Sequence, residues 1–399
     1  MATLSTGPLR LGVIGAGARL RQVLGQLLAA APAGRIVVTA AHDTNPEALL
    51  ALRKVCGGDF ETVKAEEELT RHAKVDWVFI GSWNVFHARQ AVVALQAGKN
   101  VFCEKPLATT LEDCLAVRDA VKKSGRIFAF GLVLRYSPLY RKIHELVTAG
   151  RIGRIISLEF NETLGFNHGG YIFGNWRRRS ANSGSHLLEK CCHDLDLVNW
   201  ITGSLPARVA SFGGRDFFVP ANAHQVERIG PNAEGKPAYG TWADPGRVSP
   251  FSEGVDIVDN QVAILEYANG VRAAFHTNCN AGLPERRMYL CGTEGSLRAD
   301  ATTGIIELQR IGHDSKIERI DTGAAGGHMG GDEMMAQGLA GTLLEGHAPL
   351  ASVEEGVQSC AVAFAIDRAM TEGRVVDLDS WWKTSGIGLE DRKSLVAAI

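Results

Sequence analysis

The stretch GVIGAGARL, residues 12–20, follows a run of strand formers and leads straight into a helical pattern. It constrains the fold more than any other part of the chain. A strand that ends in glycines and feeds a helix is the opening of a βαβ unit. Gly15 suits the tight turn, and Gly17 lets the backbone approach a pyrophosphate held at the positive end of the helix. Leu20 stands where the usual fingerprint has its third glycine. That departure predicts looser strand–helix packing or a variant turn.

The same grammar continues for a third of the chain. Strand patterns at 9–15, 35–43, 75–81, 100–106 and 127–134 alternate with helical patterns at 19–30, 45–56, 87–98 and 109–125. Alternation at this spacing predicts an α/β fold, a parallel sheet with helices on both faces, over residues 1–134. A helix is expected at 137–153, and after it the runs become β-rich. Residues 135–399 are therefore read as a second α/β domain, for substrate binding and oligomerisation, with a large, mostly antiparallel open sheet. In it YANGV signals a two-residue hairpin. Residues 220–255, rich in Gly, Pro and Asn, read as a long loop, and helices close the chain at about 332–346 and 353–372.

Bulk properties narrow the function classes. The 399 residues are 45% hydrophobic and 22% charged, the profile of a globular protein with room for two domains. A net charge of −2 gives no electrostatic case for nucleic acid or an anionic membrane. There is no apolar run of roughly 18 residues to span a bilayer. The N-terminus lacks a basic segment before an apolar one, so no secretory signal is expected. Eight cysteines without a repeating spacing read as reduced thiols of a cytoplasmic protein.

An acid, Asp43, ends the second strand, where it can accept hydrogen bonds from ribose hydroxyls; Thr44 and Asn45 offer no cation for a 2′-phosphate, which predicts NAD rather than NADP. The third strand runs into GSWNVFH, which puts Ser82, Trp83 and Asn84 on the ligand edge of the sheet. Glu104-Lys105-Pro106 ends the fourth strand on that edge. Lys105 is expected to project toward the nicotinamide and Glu104 the other way, with proline fixing the backbone. A second cluster lies in SGSHLLEKCCHDLDLVNWITG, a predicted helix ended by Gly203. Glu189 and Lys190 are four and three residues before His193, so each can share its face. That is the arrangement of a general base with a tuning partner. Cys191 and Cys192 diverge by about 100° on a helix and no second ligand cluster follows, so no metal is expected. Weaker substrate-binding candidates are Arg135, Tyr136, Trp176 and His328; Asp332 reads as a helix cap.

GVIGAGAR, WNVFHARQAVVALQAGKNVFCEKPLATT and LRYSPLYRKIHELVTAGRIGRIISLE resemble the Gfo/Idh/MocA oxidoreductase family, glucose-fructose oxidoreductase and inositol dehydrogenase relatives, over nearly the whole chain. The resemblance implies a Rossmann domain followed by an open-sheet substrate domain, and homo-dimers or homo-tetramers joined through that sheet. It implies NAD-dependent hydride transfer at a secondary alcohol of a sugar, glycoside, inositol or related polyol. Lys105 takes the family's place near the reacting carbon, and His193 that of the proton-accepting histidine. Glu189 replaces the family's aspartate, and Lys190 matches a lysine-bearing subgroup, so which of the two faces the site stays open. Ala18, Arg19 and His87 of the matching motifs join Gly15, Gly17, Asp43, Ser82, Trp83, Asn84, Glu104 and Lys105 as cofactor-binding candidates. Two rivals remain: a redox-neutral hydrolase or lyase with transient oxidation, and a non-catalytic NAD-binding regulator.

Overall fold

The computed structural model describes residues 7–240, 242 and 246–387. Part of the segment on which the secretory-signal expectation rests, residues 1–6, lies outside the described residues. The chain divides into two compact units, Met1–Ser137 with Ala325–Cys360, and Pro138–Ala324 with the chain from Ala361 onward. This differs from a single cut at 134, because one late segment rejoins the first unit. Buried polar contacts hold that segment there: the Tyr136 hydroxyl accepts from the Leu350 amide at 3.3 Å, and Arg135 lies 3.8 Å from Glu355.

The sheet of the first unit contains β1 (Leu9–Ile14), β2 (Ile36–His42), β3 (Glu61–Thr62), β4 (Trp77–Ile80), β5 (Asn100–Cys103) and β6 (Phe128–Phe130). Their order is β3-β2-β1-β4-β5-β6, every pair parallel. The winding reverses between β1 and β4, and ligands of such sheets bind at that crevice. β4 is buried along its whole length, as a strand with helices on both faces requires. Asn45 and Thr110 cap their helices through side-chain oxygens, and Gly57 and Gly125 end them in left-handed conformations. β3 and the helix Glu66–Arg71 escape a periodicity reading because they are short and mostly charged. The strand expected over 127–134 stops at Phe130, and Val133–Tyr136 is a 3₁₀ turn.

Leu20 does not loosen the packing. It is fully buried. The room it needs comes from Gly81 just past β4, where an added Cβ would lie 2.7 Å from the Leu20 Cβ. The small residue has moved from the helix to the strand facing it.

The second unit is built on β7 (Ile155–Gly165), β8 (Pro206–Gly214), β9 (Asn260–Tyr267), β10 (Arg272–Ala281), β11 (Arg287–Gly292), β12 (Gly295–Asp300), β13 (Ile305–Arg310), β14 (Glu318–Asp321) and β15 (Val376–Asp377). The order is β14-β13-β12-β11-β7-β10-β9-β8-β15, and only β7–β10 is a parallel pair. Along β9, Gln261, Ala263 and Leu265 are buried while Val262 and Ile264 are exposed, so one face is covered and the other open. The β9–β10 hairpin has a three-residue loop rather than the expected two. Tyr267 donates to the Val271 carbonyl across Ala268-Asn269-Gly270. Only Gly270 has positive φ there, whereas a two-residue type I′ turn needs two such residues.

Residues 215–257 are not a plain loop. They contain a 3₁₀ turn at Pro220–Asn222 and a helix at Gln225–Ile229, and Phe218, Tyr239 and Phe251 form an aromatic core with Phe173. The carboxylate of buried Asp259 accepts from the amides of Asp216, Phe217 and Phe218 and fixes the start of the insertion. Turn-forming composition hid this, because the few aromatics that supply the core are spread over some forty positions.

The helix Phe166–Phe173 meets this insertion at Gly170, where a Cβ would lie 2.1 Å from the Tyr239 carbonyl oxygen, and packs against β10 at backbone distance. A Cβ on Gly169 would lie 1.8 Å from the Cys279 carbonyl oxygen, and backbone cannot step aside cheaply. Gly169→Ala is expected to destabilise the second unit by about 1–3 kcal/mol or more. Gly282→Ala, where nothing lies within 4 Å, is the control and should stay near wild type. Denaturant unfolding of both variants checks this.

Candidate active site

In the first unit the predicted cofactor residues gather at the carboxyl edge of adjacent strands. Gly15 follows β1, Ser82 follows β4 and Lys105 follows β5. Gly15 has φ +80°, and a side chain there would strike the Ser82 amide nitrogen at 2.5 Å, so the turn admits only glycine. Gly17 is the N-cap of the helix Ala18–Ala30, which has no side-chain cap and no acid in its first turn. A Cβ on Gly17 would meet only the Gly81 carbonyl, at 3.7 Å. An open space over an uncapped helix N-terminus suits a pyrophosphate. Asp43 accepts the Ala16 amide at 2.6 Å and the Asn45 amide at 2.7 Å, one on each oxygen. Each oxygen keeps a lone pair for a ribose hydroxyl. These residues fit a dinucleotide.

The other candidates of this unit have more structural roles. Trp83 is 42% exposed and stacks on Phe86, while Asn84 is buried. The Ser82 hydroxyl donates to Gln90 at 2.7 Å. His87 is buried, its Nδ1 2.7 Å from the Pro106 carbonyl and its Nε2 3.2 Å from the Ser82 carbonyl. Burial pushes its pKa down against the two carbonyls, which favour the charged form, and a neutral ring can donate to only one of them. The Lys105–Pro106 bond is cis. Glu104 is buried; one oxygen accepts the Lys105 amide at 3.2 Å and the other accepts Arg19 Nε at 3.0 Å. Arg19 is thus held by carboxylates, Glu104 and Asp332, the latter at 2.6 Å.

Asp332 is not a helix cap. Gly330 occupies the cap position of the helix Gly331–Glu345, and the buried Asp332 carboxylate binds Arg19, Gln22 and His328. His328 and Met329, both with positive φ, hold the turn before it. Arg135 and Tyr136 are buried in the contacts to Glu355 and Leu350 already described.

In the second unit the helix His186–Thr202 forms as the pattern implies, with Ser185 as cap and Gly203 as stop. His193 is buried, at 3% exposure. Glu189 pairs with Arg177 at 2.8 Å, and Arg177 lies over the ring of half-buried Trp176 at 4.4 Å. Lys190 pairs with Glu162 at 3.3 Å rather than with Asp194 one turn on. Asp194 instead binds Arg286 through both oxygens, at 2.9 and 2.7 Å, and Arg286 also reaches Glu162 at 2.6 Å. Burial pushes the Asp194 carboxyl up, and Glu162 adds to this against the pull of Arg286. Three cations and three carboxylates therefore share this region, as low-dielectric surroundings demand. Two histidines complete it. Burial, then Lys190, lowers His168 to about 2, and burial lowers His186 to about 4, so both are neutral at pH 7. Glu162, Arg286, His168 and His186 were missed by sequence reasoning, because the bonds that hold Glu162, Arg286 and His186 are to partners remote in sequence. A hollow of about 860 Å³ lies on the open face of this sheet, lined by Val262, Ile264, His276, Tyr289 and Arg298 among others, and it includes none of the predicted site residues.

Comparison with known proteins bears on both units. Residues 9–132 match the family model described as "Oxidoreductase family, NAD-binding Rossmann fold" (Gfo/Idh/MocA), and residues 144–378 match that family's "C-terminal alpha/beta domain". A 1,5-anhydro-D-fructose reductase of Ensifer adhaerens is 26% identical over 387 residues, 93% of this chain and 99% of that protein. Inositol 2-dehydrogenase 3 of Saccharopolyspora erythraea is 38% identical over 146 residues, 36% of this chain and 42% of its own. The solved structure of a levoglucosan dehydrogenase in complex with NADH and levoglucosan superposes with TM-score 0.76, covering 93% of this chain and 100% of that one; at 20% identity the likeness concerns the fold.

The Asp332 clamp has a pH signature. Burial alone would raise this carboxyl, but His328 and Arg19 outweigh it and hold the pKa at about 2, below the unfolded 3.8. A depressed acid stabilises the fold above its unfolded pKa and loses that contribution as pH falls through its folded one. Asp332→Asn is expected to cost about 2 kcal/mol at neutral pH. The gap to wild type should narrow below about pH 4 and close near pH 2, in urea titrations of both proteins.

Proposed function

The chain belongs to the Gfo/Idh/MocA oxidoreductase family, its N-terminal part an NAD-binding Rossmann fold, and from that premise we propose that it is a dehydrogenase for a secondary alcohol of a sugar, glycoside, inositol or related polyol. The observation that carries the reading is the glycine turn with Asp43 on one unit and a buried histidine with its charged neighbours on the other. The bound nicotinamide supplies the hydride acceptor. Gly15, Gly17 and the first amides of the helix Ala18–Ala30 would hold its pyrophosphate, and Asp43 the adenosine ribose.

His193 takes the proton of the substrate hydroxyl. Lys105 orients that hydroxyl and stabilises the negative charge developing on its oxygen. Between the two tuning candidates the reading favours Lys190. The Glu189 carboxylate is spent on Arg177, whereas the Lys190 ammonium stands one helical turn before His193 with a 3.3 Å contact to Glu162. A positive charge there keeps the imidazole deprotonated and ready to accept. Copies would associate through the open face of the second sheet, where Phe212, Val262 and Ile264 are exposed. The eight cysteines, none in a disulfide among the described residues, fit a cytoplasmic setting. A panel of sugars and polyols with NAD, read as accumulation of reduced cofactor, tests the activity. Turnover without accumulation would replace it with redox-neutral chemistry.

Cofactor choice follows from Asp43, whose charge repels a 2′-phosphate. NAD should bind more tightly than NADP by about 1–3 kcal/mol, the scale of one charge-assisted hydrogen bond. Calorimetry with both cofactors measures it, and equal affinity would remove Asp43 from its role.

His193→Ala and Lys105→Ala should each lower kcat by roughly 10² to 10⁴ while NAD still binds. Lys190→Met should raise the pKa of His193 and move the acidic limb of the kcat/KM profile to higher pH. A large loss in Glu189→Gln beside a near-normal Lys190→Met would transfer the tuning role to Glu189.

A further inference from the structure

The insertion at 215–257 carries a feature that the proposed chemistry does not use. Trp242 is 53% exposed, although two other rings abut it. His168 meets it at 5.1 Å and 90°, and Tyr171 at 4.8 Å and 76°. Neither lies parallel to the indole, so both brace it without stacking on it. The brace is stiff. His168 and Tyr171 belong to the helix Phe166–Phe173, whose Gly169 and Gly170 pack against the backbone of Cys279 and Tyr239.

The platform adjoins the charged cluster. His168 lies within the electrostatic reach of Lys190 and Glu189. Tyr171 lies 5.6 Å under the Arg177 guanidinium, which pairs with Glu189. Two side chains therefore separate the indole from the helix that carries His193. An exposed aromatic ring with two rings against it and polar groups at its rim matches one kind of ligand best. A sugar ring presents a face of C–H bonds to the indole and a rim of hydroxyls to its neighbours. His168 is neutral at pH 7, and the nearby Arg177 and Lys190 are paired with Glu189 and Glu162.

We propose that Trp242, braced by His168 and Tyr171, is an outer subsite for a second sugar ring, so that the enzyme oxidises a glycosidically substituted sugar in preference to the free one. This rests on the reading of the chain as a sugar dehydrogenase. The ring to be oxidised lies at the charged cluster and the attached ring on the indole.

The test compares glucose, maltose, cellobiose and melibiose on the NAD-loaded wild type, Trp242→Phe and Trp242→Ala, by kcat/KM and by calorimetric binding. At least one disaccharide is expected to exceed glucose by about tenfold or more in kcat/KM. Trp242→Ala should erase most of that ratio, mainly through KM, and Trp242→Phe should restore part of it. A ratio near one in the wild type, or one that survives Trp242→Ala, overturns the subsite. If no sugar is oxidised yet a disaccharide binds to the wild type and not to Trp242→Ala, the subsite stands and the dehydrogenase reading falls. If nothing is oxidised and nothing binds, both fall.

Discussion

The first unit depends on one guanidinium. Arg19, in the first turn of the helix after the glycine loop, is gripped by Glu104 from the Glu-Lys-Pro turn and by Asp332 from the segment that returns late in the chain. A partly buried cation holds such a position only while its counter-charges stay in place. Three remote stretches are thereby tied at the carboxyl edge of the sheet. The second oxygen of Glu104 accepts the Lys105 amide, which carries the constraint onto the backbone of the residue proposed to meet the substrate oxygen. The buried His87 ring lies between the Pro106 and Ser82 carbonyls.

The second unit answers the same requirement with a larger set. Arg286 is shared by Glu162 and Asp194, Glu162 is shared with Lys190, and Glu189 is taken by Arg177. The helix that carries His193 is thus buried on nearly every side and yet bears charge at four of its positions. Such clusters contribute little net stability over apolar packing, but breaking one leaves an unmatched charge. That cost fixes the rotamers around the imidazole. It also explains why Glu189 and Lys190, adjacent in sequence, have different partners: they point about 100° apart and find different walls.

The insertion is held to the sheet and to the helix beside it by its own contacts. Its own aromatic core and the Asp259 carboxylate make it a stiff appendage on the helix Phe166–Phe173.

The sequence alone determined the parallel α/β character of the first third, the glycine turn, Asp43, the Glu-Lys-Pro edge and the helix with His193, because each is a local pattern with a period or a turn chemistry of its own. It missed the β3 strand and the order inside the aromatic insertion, whose signals are short or dilute. Tertiary structure decided the rest. Asp332 could be read as a cap and Arg135 as a substrate ligand until their partners, three hundred and two hundred positions away, were in place. Leu20 looked like a packing defect until Gly81 was found opposite. Lys190 finds its carboxylate, Glu162, on β7, a strand nearly thirty positions earlier in the chain. Periodicity and turn chemistry act between neighbours along the chain; the pairing of buried charges and the fitting of side chains into space act between neighbours only after folding, and one sequence does not contain those distances.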